Sequence, residues 1–256
     1  IKPSENGPRI ADCVHNAGYN QIKKLPFRLD VFYVFRKDSS GSAAGESGRG
    51  DVRAHTLGFQ AEGRMLEVLD AAATFARQTG RWAGDRLRAS GASGKFGVTF
   101  PAPWTPRLGG QYTWGSGDSN PTDGVHGTFD GVYGGRDIFF YGYVNLFAWA
   151  NLHDAEVDFS LRLRRDLTAF AELHHFRLDQ PADAWYTTGI RPSRRDPSGR
   201  SGVTLGRELD FRLVWRRGKY IELMGGGWRL FPGAFLCNAG PAAPANWLFT
   251  QAAYSW

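Results

Sequence analysis

In AEVDFSLRLRR (155–165), Val157, Phe159, Leu161 and Leu163 fall on one parity. Glu156, Asp158, Ser160, Arg162 and Arg164 fall on the other. RELDFRLVWRR (207–217) repeats the pattern, with Leu209, Phe211, Leu213 and Trp215 set against Glu208, Asp210, Arg212 and Val214. PFRLDVFYVFR (26–36) sets Phe27, Leu29, Val31, Tyr33 and Phe35 against Arg28, Asp30 and Arg36. A period of two over so many residues specifies a β-strand. One wholly apolar face backed by a charged face restricts that strand to an environment with an oily side and a wet side.

The same rule extends less cleanly along the chain. RAHTLGFQAEG (53–63) places Leu57, Phe59 and Ala61 together. Further strands are expected at 66–78, 93–100, 106–116, 138–149, 167–177, 219–230 and 247–256. The total is about eleven strands of about ten residues, the length that crosses a hydrocarbon core when tilted. LEVLDAAATFAR (66–77) has alanines that suit a helix, but short polar turns bound it and a strand is preferred. Tight turns at Glu62–Met65, Pro101–Pro106, Ala150–His153, Arg165–Asp166 and Arg216–Lys219 are expected to alternate with long loops at 37–51, 79–92, 117–137, 178–204 and 231–246. Short turns at one end and long loops at the other are what an all-β, antiparallel transmembrane β-barrel produces. A soluble sandwich also alternates, but its two apolar faces must meet, and it rarely carries so many long loops at one end.

Composition is compatible with that reading. No apolar run approaches the about 20 residues of a membrane helix, and mean hydropathy is −0.39. A barrel strand shows only every second residue to lipid, so neither fact opposes a membrane. Nine Trp, nine Tyr and 33 Gly in 256 residues favour strands and loops over helices. The closing NWLFTQAAYSW (246–256) sets Leu248, Thr250, Ala252, Tyr254 and Trp256 on one parity. Tyr254 and Trp256 then suit the aromatic girdle at a membrane interface, as does Trp215. A final strand of this kind needs a partner, because an open edge in lipid leaves backbone groups unsatisfied. The opening IKPSENGPRI has neither a basic n-region nor an apolar core, so a cleaved leader or an internal start is expected, and residues 1–25 read as an entry loop. Cys13 and Cys237 fit no metal spacing and allow one disulfide.

Several stretches together resemble the alginate-export family of outer-membrane barrels. They are GVTFPAPWTPRLGGQYTWGSGDSNPTDGVHGTFDGVYG (97–134), FFYGYVNLFAWANLHDAEVDFSLRLRRDLTAFAELHHFRL (139–178), LGRELDFRLVWRRGKYIELMGGGWRLFPGAF (205–235) and the closing WLFTQAAYSW. W-x-P-R-L-G, then S-G-D-x-N-P-x-D-G and H-G-T-F-D, carry the specificity. The likeness covers roughly residues 26–256 and reaches the family's C-terminal end. It implies a bacterial outer-membrane location and a larger barrel of about eighteen strands, completed by further N-terminal strands or by a partner chain. It also implies passive passage of an anionic polysaccharide through an electropositive pore.

On that parity the lumen-facing basic residues are Arg28, Lys95, Arg107, Arg162, Arg164 and Arg212, and the acids include Asp30, Glu156, Asp158, Glu208, Asp210 and Glu222. Guanidinium groups bind carboxylates bidentately, so spaced arginines can guide uronate groups. Each can equally brace a polar interior by pairing with an acid on the next strand. The two signs nearly balance, so strong anion selectivity does not follow from these residues alone.

Other chemistries are less well specified. SGDSNPTDG (116–124) offers Asp118, Asn120, Thr122 and Asp123, but its Gly falls late and Phe129 stands where a calcium loop needs Glu. His174 and His175 point to opposite faces of a strand and cannot chelate together; belt or loop-base positions suit them. No metal, cofactor or catalytic site is assigned. An outer-membrane hydrolase built on Ser160, His174 and Asp158 is one rival. A scaffold barrel sheathing an electron carrier is another, with any haem on the partner because C-x-x-C-H is absent. Nucleic acid is not an expected partner, because the arginines alternate with lipid-facing residues.

Overall fold

A computed structural model describes residues 13–22, 27–65, 68–131, 142, 146–187 and 190–255. It is nearly all β, with 69% of residues in strands and one short helix. The principal antiparallel path runs β1 (Cys13–Ile22), β2 (Arg28–Gly45), β3 (Gly48–Met65), β4 (Leu69–Trp82), β5 (Asp85–Thr99) and β6 (Arg107–Gly115). It continues through β8 (Leu152–Arg164), β9 (Leu167–Arg177), β12 (Thr204–Arg217), β13 (Ile221–Pro232) and β14 (Ala245–Tyr254). The short β7 (Val125–His126) runs parallel to β5, and β10 (Ala184–Thr187) pairs only with β11 (Arg191–Arg195). Helix α1 (Ala234–Asn238) sits between β13 and β14. Eleven strands laid side by side in chain order form the wall of a barrel, with β1 and β14 at its edges.

Burial along the strands is inverted relative to a soluble protein. On β12, Leu209 and Phe211 are each 50% exposed, while their neighbours Glu208 and Asp210 are 0% and 3% exposed. On β8, Val157 and Phe159 are exposed, and Asp154, Glu156 and Asp158 are buried. Register carries these faces across the sheet: Leu108 pairs with Phe159, Phe159 with Ala171, and Ala171 with Phe211. An apolar exterior over a charged interior is stable only where the exterior solvent is hydrocarbon. No helix among the described residues is long and apolar enough to cross a membrane; the strands span it.

The apolar core lies at the loop end rather than mid-barrel. Leu87, Leu152, Phe176, Leu205 and Leu230 point inward near the loop ends of their strands and are buried. Phe129, Phe147, Trp149, Leu178, Phe235 and Leu236 from the connections pack on them. The loops therefore fold back over the concave face as a cap.

Several sequence expectations change. Cys13–Ile22 lies within the segment expected to be an entry loop, yet it forms β1, whose weak alternation hides it. The expected loops 37–51 and 79–92 are mostly strand: β2 and β3 close at residues 46–47, and β4 and β5 at 83–84, with Ala83 in the left-handed region. Leu146 to Trp149, expected at the end of a strand 138–149, are not in a strand; apart from Gly142, the stretch 138–145 lies outside the described residues. Removing that strand lets β6 pair directly with β8 and moves Ala150–His153 to the loop end. The turns after β1, β3, β5, β8 and β12 then share the opposite end. Cys237 on α1 is a free thiol, so the allowed disulfide is not formed.

A charge on the outer face should cost far more than one on the inner face. Phe211→Arg is expected to lose about 2–4 kcal/mol, and Ser160→Arg less than about 1 kcal/mol. Guanidinium unfolding in phospholipid vesicles measures both; equal losses would contradict the assignment of faces.

Candidate functional site

The inner wall is built from cross-strand ion pairs. Arg107 opens β6 on the inward parity and reaches sideways in both directions. Its guanidinium donates to Asp70 of β4, with Nη2 2.7 Å from Oδ1, and its Nη1 is bonded to Asp158 of β8. Gly97 and Gly109, opposite one another on β5 and β6, make room for it, since a Cβ on either would run into this guanidinium. Arg212 of β12 bonds Glu172 of β9 at 2.8 Å and lies 4.3 Å from the Phe170 ring centroid. Arg28 contacts Asp30 at 2.7 Å and Glu62 at 3.0 Å. Glu222 accepts from Arg216 at 2.6 Å, and Arg164 meets Asp166 in the turn at 3.2 Å. Lys95 and Arg162 share the inward parity, and neither forms an ion pair among the described residues.

His174 was missed as part of this wall. It is buried between Glu156 on β8 and Glu208 on β12, which are its register partners. Its Nδ1 lies 3.1 Å from both Asp154 oxygens, and its Nε2 lies 4.0 Å from Asp210 Oδ2. His174 faces inward near the loop end of β9, stacked on Phe176, so it is not an outer belt residue, and His175 occupies the opposite face. Glu172, His174 and Asp210 bring one ligand atom each within 4.8 Å of one another, a spacing that suits a cation. The Arg212 guanidinium already supplies positive charge to Glu172 there. No single sequence window could reveal this cluster, because its members come from β9 and β12 and the further acids Asp154 and Glu156 face His174 from β8. Ser160 stands opposite Phe170, two rows from His174, so the hypothetical hydrolase trio is not assembled among the described residues.

The expected girdle residues are placed at the short-turn end. Trp215 shares the outward parity and donates its indole N–H to Asp166 at 2.8 Å. Tyr254 is exposed and pairs with Ile221. Trp256 lies outside the described residues.

Above the wall, two loops are pinned by carboxylates, of which Asp183 and Asp130 are buried and Asp179 partly so. Asp179 accepts from the Trp114 indole at 2.9 Å, from the Gly117 amide at 3.0 Å and from Gln180 Nε2 at 3.0 Å, and contacts His153 Nε2 at 3.0 Å. Burial would push this carboxyl up, but the hydrogen bonds outweigh it and hold it well below the usual carboxylate range. Asp183 accepts from the Asp118 amide at 2.9 Å, the Thr128 hydroxyl at 2.6 Å and the Tyr186 hydroxyl at 2.9 Å. Asp130 fixes the loop to the wall through Arg36 at 2.6 Å and a two-way exchange with Gln78. A cavity of about 320 Å³ remains beneath, bordered by Glu46, Trp82, Asp118, His126 and Tyr186.

The family model described as alginate export matches residues 19–248 of the chain. No curated protein matches it.

Breaking the His174 cluster leaves buried carboxylates without their imidazole. His174→Phe should lose about 3–5 kcal/mol, and His174→Lys should retain most of it; equal denaturation midpoints for the two would remove the electrostatic role. A second expectation concerns the cap. Burial, aided by Asp183, Glu46 and Asp123, pushes the Asp118 carboxyl up to about 6, against the Asn120 amide bond that lowers it. Burial pushes His126, stacked 4.7 Å from Trp82, down to about 4, against Asp183 and Asp85. A raised carboxyl favours the docked loop as pH falls from about 6 towards 4, and a lowered imidazole disfavours it from about 6.5 towards 4. The two oppose, so Asp118→Asn should leave a cap that loosens on acidification, and His126→Phe one that tightens. Hydrogen exchange at the Phe129 amide, which donates to Ser116 O, reads this after correction for intrinsic rates. Identical pH profiles for the two variants would refute the assignment.

Proposed function

From the premise that the chain belongs to the alginate-export family, a family of outer-membrane export channels for polysaccharide, we propose that it walls a bacterial channel for a polar, anionic polysaccharide. Passage is passive and makes or breaks no covalent bond. Residues of the inner wall guide the chain of sugars, and the capping loops restrict the outer mouth.

The observation that carries the anionic reading is the division of labour among inward cations. Arg28, Arg107, Arg164 and Arg212 are held by carboxylates, which makes them braces of a wet interior. Lys95 and Arg162 are not so held, and Lys95 borders an open depression lined by Glu62, Asp70 and Ala72. Inward cations that no carboxylate holds among the described residues can attract a uronate group and release it again, since transit needs weak binding at several points. A polyanion gripped by every arginine at once would stall.

Planar-bilayer reversal potentials under a salt gradient test this. Lys95→Glu with Arg162→Glu should move selectivity towards cations, while Arg212→Gln, which removes a brace, should change selectivity much less. Unchanged selectivity in the double variant would take these two residues out of the path.

A further inference from the structure

The net charge of +6 does not reside on the inner wall. Inward positions hold Asp30, Asp70, Asp158, Glu172, Glu208 and Asp210 among other acids; Asp158, Glu172 and Asp210 share one register row, and Arg107 and Arg212 reach Asp158 and Glu172 from the neighbouring row. Outward, the balance reverses at the loop end. Register places Lys37 of β2 opposite Arg53 of β3, Arg53 opposite Arg81 of β4, and Arg81 opposite Arg86 of β5. All four are exposed. Arg88 stands in the next row, opposite Thr79. The carboxylate on this outward face is Asp51, whose Oδ1 accepts from the Gly41 amide at 3.2 Å, and it forms no ion pair with the row among the described residues.

Like charges directly opposite one another destabilise a sheet. Four in a single row, on four consecutive strands, therefore need an external counter-charge. Their depth identifies where it lies. Three rows towards the turns, Val31, Phe59 and Phe75 stand on the same face in one register row and are exposed. The intervening rows hold Phe35, His55, Thr79 and Arg88, then Tyr33, Leu57, Arg77 and Ser90, with the Tyr33 hydroxyl 2.6 Å from His55 Nδ1 and Arg77 Nη1 donating to the Ser90 hydroxyl at 2.7 Å. Rows are about 7 Å apart along a strand. The basic row thus sits about 20 Å along the strand from the apolar row, less in depth because the strands tilt, at the level of headgroups rather than acyl chains.

We infer that Lys37, Arg53, Arg81 and Arg86 form a docking surface for the phosphates of an anionic lipid headgroup in the leaflet at the loop end. Four strands span about 14 Å across the row, more than one phosphate covers. The row fits a headgroup that carries two phosphates on a rigid sugar core, its acyl chains lying down the apolar face below. Arginine suits this role because its fork bonds two phosphate oxygens at once. The outer face favours a lipid over the transported polymer, since the row is continuous with the lipid-facing band and turned away from the lumen.

The inference rests on the membrane reading, and the experiment separates the two. The full chain is reconstituted in zwitterionic phospholipid nanodiscs and titrated with diphosphoryl lipid A, monophosphoryl lipid A and fully dephosphorylated lipid A. Affinity should rise with each phosphate. Each lost cation should weaken binding about fivefold, so Arg53→Ser with Arg81→Ser and Arg86→Ser should weaken binding of the diphosphoryl form about a hundredfold. Inorganic phosphate at matched phosphorus should not compete. Equal binding of the three lipids by the unaltered protein would overturn the inference without any variant, as would a triple variant of unchanged affinity. Displacement by inorganic phosphate or by a soluble polyuronate would overturn the lipid assignment. Failure of the unaltered chain to enter the nanodisc would instead overturn the membrane reading beneath it.

Discussion

Everything in this structure follows from the requirement that a backbone crossing hydrocarbon satisfy its own hydrogen bonds. Neighbouring strands meet that requirement for one another, which is why the eleven strands lie in chain order, each paired antiparallel with the next. Once the ladders are fixed, alternate side chains have no choice of face. Leu209 and Phe211 must meet lipid because Glu208 and Asp210 cannot. The interior is then obliged to be polar, and it holds together by ion pairs between adjacent strands instead of by apolar packing.

That obligation accounts for both the legible and the illegible parts of the sequence. Strands with charges on one parity, such as 155–165 and 207–217, are readable because hydrocarbon tolerates no exceptions on the outer face. β1 was not readable, since CVHNAGYNQI mixes polar residues on both parities. The arms of β2 to β5 beyond the hydrocarbon layer were hidden for a related reason. There water lies outside as well, so Ser, Gly and Arg are admitted, and the segments look like loops while still pairing. The stretch LFAWA misled in the opposite sense. Its apolar residues suggested a strand, but Phe147 and Trp149 are anchors of the cap, buried against Phe176 and Phe129.

The candidate site was half legible. Register keeps Arg28, Lys95, Arg107, Arg162 and Arg212 on the parity that carries the buried acids Asp30, Glu156, Asp158 and Asp210. Parity could not say which of them would be occupied by an acid, because that depends on the stagger of neighbouring strands. Arg107 finds Asp70 and Asp158 through residues distant in sequence, and the glycines beside it have meaning only once β5 and β6 are aligned. His174 was invisible on the same ground: its acids lie on β8 and β12.

Charge is the property on which sequence totals mislead most. A basic chain in a family that exports a polyanion invites the conclusion that the pore is basic. Here the excess sits on the outer face at the loop end, where Lys37, Arg53, Arg81 and Arg86 align. The inner wall pairs Arg28, Arg107, Arg164 and Arg212 with acids, because an unpaired charge in a partly desolvated interior costs more than one at a wet rim. A channel lined by braced arginines presents a weak, alternating field to its solute, with a few free cations standing above it. Such a wall can pass a charged polymer because it does not hold it, and the stronger positive field is left to the one boundary where firm anchoring serves the barrel.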